Sequence, residues 1–291
     1  MRFFRNLYYG YRAFYKAFRF IIEHRLYWYV GIPAILMLGI YQMGHLIQLH
    51  IPTSNATNMN GIVWYMIQLL VEISISILLM RFAKYLVVIL LSPLLSHLSQ
   101  KVEFILTGNE YKFDLGLLIQ DVKRGFRIAI RNIMWEYFFF ITVYLIAKLG
   151  WSDAEESPLF YLIFVIGFFY YGFSFMDYVN ERLRLNVDQS VQFARKNRGL
   201  AIAIGSIYSI MIWVPVDLRA LFDWGSFGQT ANGGGPFIFI YHFIINLFLW
   251  MCAAFAPIWS IVAATIAMND VVNLKEAKLI VAEKNELSTT T

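Results

Sequence analysis

The sequence has little charge and almost no cysteine. Of its 291 residues, 15% are charged and 59% are hydrophobic, whereas about a quarter of the residues of a soluble domain are charged. This composition excludes an ordinary soluble domain. The one cysteine, Cys252, lies within an apolar run, so no intramolecular disulfide can form. We interpret Cys252 as a small packing residue.

The motifs of catalysis and of nucleotide hydrolysis are also missing. The chain has no HExxH, no Gly-x-Ser-x-Gly, no phosphate-binding Gly-Lys-Ser/Thr string and no Cys/His spacing typical of a metal site. His45 and His50 have no histidine partner at i+4 and no nearby carboxylate cluster, so we interpret them as interfacial side chains. The sequence therefore predicts a protein that is neither an enzyme nor an ATP-driven pump, with no cofactor and no metal.

Long apolar runs dominate what is present. A helix needs about 20 mostly apolar residues to cross a bilayer, and hydropathy alone gives six crossings. They fall at residues 26–49, at a run that begins with Gly61, and at 133–149, 159–176, 199–216 and 237–268. Because these runs are continuous and do not alternate with period two, they exclude a transmembrane barrel. They predict an all-α polytopic integral membrane protein.

Lysine and arginine are concentrated in every second connection. There are six up to Arg25, six from Lys101 to Arg131, five from Arg182 to Arg198 and three in the tail, while the intervening connections contain one or none. The positive-inside rule then places both termini in the cytoplasm. The same distribution makes the net charge of +5 a signal of topology, and we expect no nucleic-acid partner.

Residues 1–25 predict an amphipathic helix in the membrane interface. Aromatic and aliphatic residues recur there at spacings of three and four, and basic residues fall on another face (Arg5, Arg12, Lys16 and Arg19). Such a helix is attracted to anionic headgroups; a buried amphipathic core helix is the alternative. The remaining chain divides into a single membrane domain, 26–270, and a cytoplasmic tail, 271–291.

One ionisable residue falls inside a predicted span. Glu72 lies in the second apolar run, with Arg81 and Lys84 near its inner end. We expect the two cations to extend to the interface. A carboxyl group within a span is a functional candidate by default, so Glu72 is either a residue of the transport pathway or a packed, hydrogen-bonded or protonated side chain.

Three strings resemble one family, in the same order along nearly the whole chain. They are LLSPLLSHLSQKVEFILTG, FMDYVNERLRLNVDQSVQFARKNRGLAIAIGSIYSIMIWVP and FRFIIEHRLYWYVGIPAIL. Together they are similar to the CysZ family of sulfate permeases and the related etoposide-induced membrane proteins. There are departures. Val179 stands where the family often has proline, the connection 217–236 is longer than expected, and the family's Gly-Leu-Arg string is Gly10-Tyr11-Arg12 here.

This resemblance implies full spans together with helical hairpins that penetrate partway from the cytoplasmic side. It implies a homo-oligomer in the bacterial inner membrane that acts as a permease or channel for a small inorganic anion, most simply sulfate import. The alternative is a non-transporting scaffold or envelope-organising protein with the same fold. The acidic turn WSDAEESP favours a hairpin that reaches the far side, so the depth of the hairpins stays open.

By the same resemblance, Gly10, Tyr11 and Arg12 form the candidate anion site. Glycine lets the backbone approach an anion closely, converging N–H groups bind oxyanions, and a guanidinium adds a forked donor. The alternative is that Gly10 is a spacer and Arg12 a headgroup anchor. Arg25 and Arg131 are further basic candidates near the cytoplasmic mouth, without a motif to support them.

Overall fold

The computed structural model describes residues 2–39, 89–110, 115–151, 156–213, 221 and 235–276. These residues form eight helices. They are α1 (Arg2–Glu23), α2 (Leu26–Gly39, beginning with the 3₁₀ turn Leu26–Val30), α3 (Ser92–Thr107), α4 (Leu115–Gly150), α5 (Phe160–Arg182), α6 (Val187–Lys196), α7 (Arg198–Trp213) and α8 (Gly235–Val272). The predicted all-α fold is confirmed.

Three of the helices are long and apolar enough to cross a membrane: Lys123–Gly150, Phe160–Arg182 and Phe237–Val272. The chain is therefore a membrane protein with multiple candidate spans, as predicted. The described part of α7 has 16 residues and measures about 24 Å, which is shorter than the roughly 30 Å hydrocarbon core. The second predicted span, from Gly61, lies outside the described residues.

The second half of α5 is the centre of the structure. Every residue from 171 to 180 is buried, because α3, α4, α6, α7 and α8 all pack against α5. α7 crosses it at backbone contact. A Cβ on Gly172 would lie 1.8 Å from the carbonyl oxygen of Ala201, and a Cβ on Gly205 would lie 1.8 Å from that of Phe168. Glycine is required at both positions, as is common where membrane helices cross closely.

The opposite face of α7 packs on α1. A Cβ on Gly199 would lie 2.3 Å from the carbonyl oxygen of Phe3, so this crossing is also at backbone contact. α8 covers the next part of α1, where the indole Nε1 of Trp259 donates to the carbonyl oxygen of Phe14 at 2.9 Å. The buried face of α1 consists of six residues at helical spacing: Asn6, Gly10, Ala13, Phe14, Ala17 and Ile21.

α6 folds back along α5. Its first turn is closed by a capping box, in which the side chain of Asn186 accepts from the backbone of Gln189 and the side chain of Gln189 accepts from the backbone of Asn186. Two buried residues of α6, Val191 and Ala194, then pack against Phe173 of α5. The α6 helix therefore runs antiparallel to α5, toward the middle of that helix.

The last described turn closes the bundle. Asn273 ends α8 with a φ of 52°, a left-handed conformation that is frequent after a helix C-terminus. The backbone N–H of Leu274 donates to the side chain of Asn269, and Leu274 is completely buried. Packing of the membrane domain thus continues into the start of the segment that the sequence analysis assigned to the tail.

Candidate functional site

A buried ion pair joins the ends of α3 and α5. Arg182 Nε lies 2.8 Å from Glu103 Oε2, and the two side chains are 6% and 2% exposed. A second guanidinium nitrogen donates to the backbone carbonyl of Tyr178, and the third donates to Ser99 Oγ at 2.9 Å. Since every nitrogen of this guanidinium has a partner, the charge is fully compensated inside the protein.

Polar side chains extend this ion pair to α8. Ser99 Oγ lies 2.6 Å from Thr265 Oγ1. On the other side, Asn109 Nδ2 donates both to Glu103 Oε1 and to the carbonyl oxygen of Leu274. The network therefore holds α3, α5 and α8 together at the end of the bundle where all three helices terminate or approach their termini.

A second ion pair joins the first half of α4 to α5. The guanidinium of Arg124 donates through Nε and Nη2 to both carboxylate oxygens of Asp177, at 3.0 and 2.9 Å, which is the strong forked geometry. Its Nη1 donates to the carbonyl oxygen of Leu185 at 2.6 Å. Ser190 of α6 donates to the same carboxylate, so the pair also fixes α6.

Neither of these arginines is available to a ligand. Their donors are used within the protein, and the cavity next to Asp177 is too small for a substrate. It is lined by residues of α4 and α5 together with Ile89 and measures about 10 Å³, roughly the space of one water molecule. We therefore assign the two networks to the framework that positions the helices.

The residues of the predicted anion site point in different directions. Gly10 lies inside α1, where a Cβ would be 2.4 Å from Ala203 Cβ, so its free space is filled by α7. The Tyr11 hydroxyl lies 3.0 Å from Ser206 Oγ, also on α7. Arg12 is exposed. Of the three, Arg12 is the residue whose donors face the surface, and the anion site on them stays a prediction.

The exposed surface of α1 carries two stripes. Large apolar side chains form one of them (Phe4, Tyr8, Tyr11, Tyr15, Phe18 and Ile22). Arg5, Arg12 and Arg19 form the other; all three are exposed, and their seven-residue spacing places them on one line along the helix. The sequence analysis expected an aromatic face opposite a basic face. The structure adds a third face, which is buried against α7 and α8.

Glu72, the predicted pathway residue, lies outside the described residues, as do Arg81 and Lys84. In the part of the chain that the structure describes, no group of three or more His, Cys, Asp and Glu side chains could hold a metal ion. Arg25, one of the further basic candidates, is exposed at the junction between α1 and α2, where its backbone is left-handed with φ 54°.

The sequence analysis missed both ion pairs. It noted Glu103 and Asp177 only as parts of strings, because their arginine partners are 79 and 53 positions away. A usable signal was present, since each carboxylate lies beside an apolar helix end in a segment rich in basic residues. An acidic residue in such a place must find a cation when it is buried.

Comparison with known proteins gives the family. No curated protein matches the chain. One family model does, and it covers residues 13–222, which include α3 to α7 and the two ion pairs. This range is well over half of the chain, so the protein belongs to the family described as "Sulfate transporter CysZ/Etoposide-induced protein 2.4".

Proposed function

We propose that the protein is a membrane permease or channel for a small oxyanion and that sulfate import is its activity. The observation that carries this proposal is membership of a family described as a sulfate transporter, over residues 13–222. The three helices of the described residues that are long enough to cross a membrane agree with a transport role. A passive permease needs no bound nucleotide and no catalytic group, so the motifs missing from the sequence are not required.

An anion that crosses this protein exchanges part of its hydration shell for fixed donors. The arginines of the two ion pairs cannot serve, since carboxylates already neutralise them. Surface arginines such as Arg12 can, and a guanidinium matches two oxygens of a sulfate in the forked geometry. We keep Arg12 as a candidate contact at the mouth, with Gly10 and Tyr11 fixing the helix that carries it.

Location and assembly complete the proposal. We place the protein in the bacterial inner membrane as a homo-oligomer with both termini in the cytoplasm. The ion pair between Lys16 of α1 and Asp270 of α8, with Nζ and Oδ2 2.7 Å apart, supports a common side for the N-terminal helix and the end of α8. The basic connections favour the cytoplasm as that side.

The alternative function is that of a protein with the same fold that does not transport an anion. The two exposed stripes of α1 suit a helix that organises lipids at the membrane surface, and a scaffold or envelope-organising protein would use them. This alternative needs no anion pathway. It predicts that the purified protein does not change the rate at which sulfate crosses a bilayer.

Sulfate flux distinguishes the two functions. The protein is reconstituted in liposomes, its insertion is verified by protease protection, and uptake of radiolabelled sulfate is followed with and without excess unlabelled sulfate. We expect saturable uptake above that of empty liposomes. Uptake equal to that of empty liposomes, with correctly inserted protein, would eliminate the permease.

The role of Arg12 needs a matched control. Arg12→Ala should weaken sulfate binding about tenfold, because a charge-assisted hydrogen bond contributes roughly 1.5–3 kcal/mol. Arg5→Ala removes an exposed arginine from the same line of α1 and should leave sulfate binding within twofold of the unmodified protein. If the two variants bind sulfate with the same affinity, Arg12 acts only as one of several surface charges, and the prediction of an anion site at Arg12 is wrong.

A further inference from the structure

α4, α5 and α6 form a packed corner. Ile128 of α4, Phe173 of α5 and Val191 of α6 are buried in one cluster. One turn further along α4, Asn132 Nδ2 donates to the backbone carbonyl of Tyr170 at 3.3 Å and to Ser174 Oγ at 3.0 Å. Arg131, Tyr170 and Arg195 lie three or four positions from these cluster residues, on the same faces of α4, α5 and α6. They therefore lie at one level of the bundle, although they come from three separate helices.

Two arginines flank the corner. Arg131 directly precedes Asn132, and Arg195 directly follows Ala194, which belongs to the buried cluster. Both guanidinium groups act electrostatically on the Tyr170 hydroxyl. Arg131 and Tyr170 are half-buried, and Arg195 is exposed. Within the described ranges, neither arginine forms a hydrogen bond or an ion pair, in contrast to Arg124 and Arg182.

We propose that Arg131, Arg195 and Tyr170 bind a tetrahedral oxyanion, either free sulfate or the phosphate of a lipid headgroup. Two guanidinium forks match four oxygens arranged around a central atom, and the phenol can donate a third contact. Two positive charges also suit a dianion. For free sulfate, this site rests on the proposed transport function and deepens it by stating where the substrate is met.

The position of the corner along α4 fits both sources. The helix continues from Arg131 to Gly150, a rise of about 28 Å, which is close to the thickness of the hydrocarbon core. If the apolar part of α4 lies in that core, Arg131 lies at the level of the headgroups. A hydrated anion and a lipid phosphate can both reach that level.

Glu136 places a carboxyl group on the inner side of the corner. Its Oε1 is 3.1 Å from the position of a Cβ on Gly167, one turn before Tyr170, and it acts on the same hydroxyl. When ionised, this carboxyl group repels an oxyanion that moves past the two arginines. Glu136→Gln is therefore expected to strengthen oxyanion binding, opposite in direction to loss of either arginine.

The test measures oxyanion binding by the intact chain. Equilibrium binding of radiolabelled sulfate is measured on detergent-purified protein, and binding of anionic phosphatidylglycerol against neutral phosphatidylcholine is measured by native mass spectrometry. Arg131→Ala and Arg195→Ala should each weaken binding of the oxyanion about tenfold or more. The matched controls are Arg127→Ala and Lys196→Ala, which remove exposed cations beside the corner and should change binding less than twofold.

The outcomes separate the site from the transport function. Loss of sulfate binding in both arginine variants, with the controls intact, supports a free-anion site. Loss of phosphatidylglycerol binding alone supports the lipid source. Binding that is unchanged in both variants, or weakened equally in the controls, overturns the site whether or not the protein transports sulfate. A protein that does not transport sulfate but still binds phosphate through Arg131 and Arg195 would support the binding site and contradict the permease function.

Substitution with lysine provides a control for misfolding of the alanine variants. Arg131→Lys and Arg195→Lys keep the charge and the helix propensity but remove the fork. They should bind the oxyanion more tightly than the alanine variants and less tightly than the unmodified protein. Variants with unchanged thermal unfolding and this graded order of affinity would separate a bound anion from a purely structural role.

Discussion

At the scale of single residues, the buried ion pair between Glu103 and Arg182 makes the strongest prediction. Glu103→Gln leaves a guanidinium that is only 6% exposed without its counter-charge, and breaking a buried pair from one side costs about 3–5 kcal/mol. We expect Glu103→Gln to lower the unfolding free energy by about that amount, measured by denaturant or thermal unfolding in detergent.

The exposed pair of Arg19 and Glu23 provides the control. Its atoms are 3.6 Å apart and its side chains are 66% and 57% exposed, and such a surface pair contributes roughly 0–1 kcal/mol. Glu23→Gln should therefore change stability little. Equal effects of Glu23→Gln and Glu103→Gln would show that Arg182 is compensated by water and that the network does not hold the helices.

At the scale of helices, α7 determines how the bundle closes. It lies between α1 and α5, and small residues on two of its faces allow backbone contact on both sides. Ala201 and Gly205 meet α5, whereas Gly199 and Ala203 meet α1. Close approach of this kind replaces large side chains as the source of packing between membrane helices.

Glycine replacement tests that role. Gly172→Ala places a methyl group 1.8 Å from a backbone oxygen of α7, which cannot rotate away, so the two helices must separate. We expect a loss of about 1–3 kcal/mol, the usual cost of overpacking, read out by thermal unfolding. Gly31→Ala is the control, because a Cβ on Gly31 meets nothing within 4 Å. If Gly172→Ala unfolds at the same temperature as Gly31→Ala, the close crossing is not needed for stability.

For the molecule as a whole, the sequence predicts the fold class better than the site. Composition and apolar runs are properties of the chain itself, so the all-α membrane fold follows from them. Helix faces such as that of Gly10 depend on partners far along the chain, here Leu200 and Ala203, and no local pattern specifies them. The same holds for Arg124, whose pairing with Asp177 turns an apparent surface cation into part of the framework.

The hairpin of α4 and α5 gives the last prediction, on membrane crossing. Its connection carries Asp153, Glu155 and Glu156, and a charged group at the bilayer centre costs about 2.5–3.5 kcal/mol on insertion scales. We therefore expect the connection to reach the side opposite the basic segments.

In a Cys252→Ala background, Leu149→Cys, which replaces a side chain that is 90% exposed, should react with an impermeant maleimide added outside intact cells. Arg5→Cys and Glu276→Cys, both at exposed positions, should react only after the membrane is opened. Failure of Leu149→Cys to react under either condition would place the connection inside the bilayer, and a partially penetrating hairpin would then replace the full crossing. Reaction of all three cysteines from outside would contradict the common cytoplasmic side that the Lys16–Asp270 ion pair and the basic connections support.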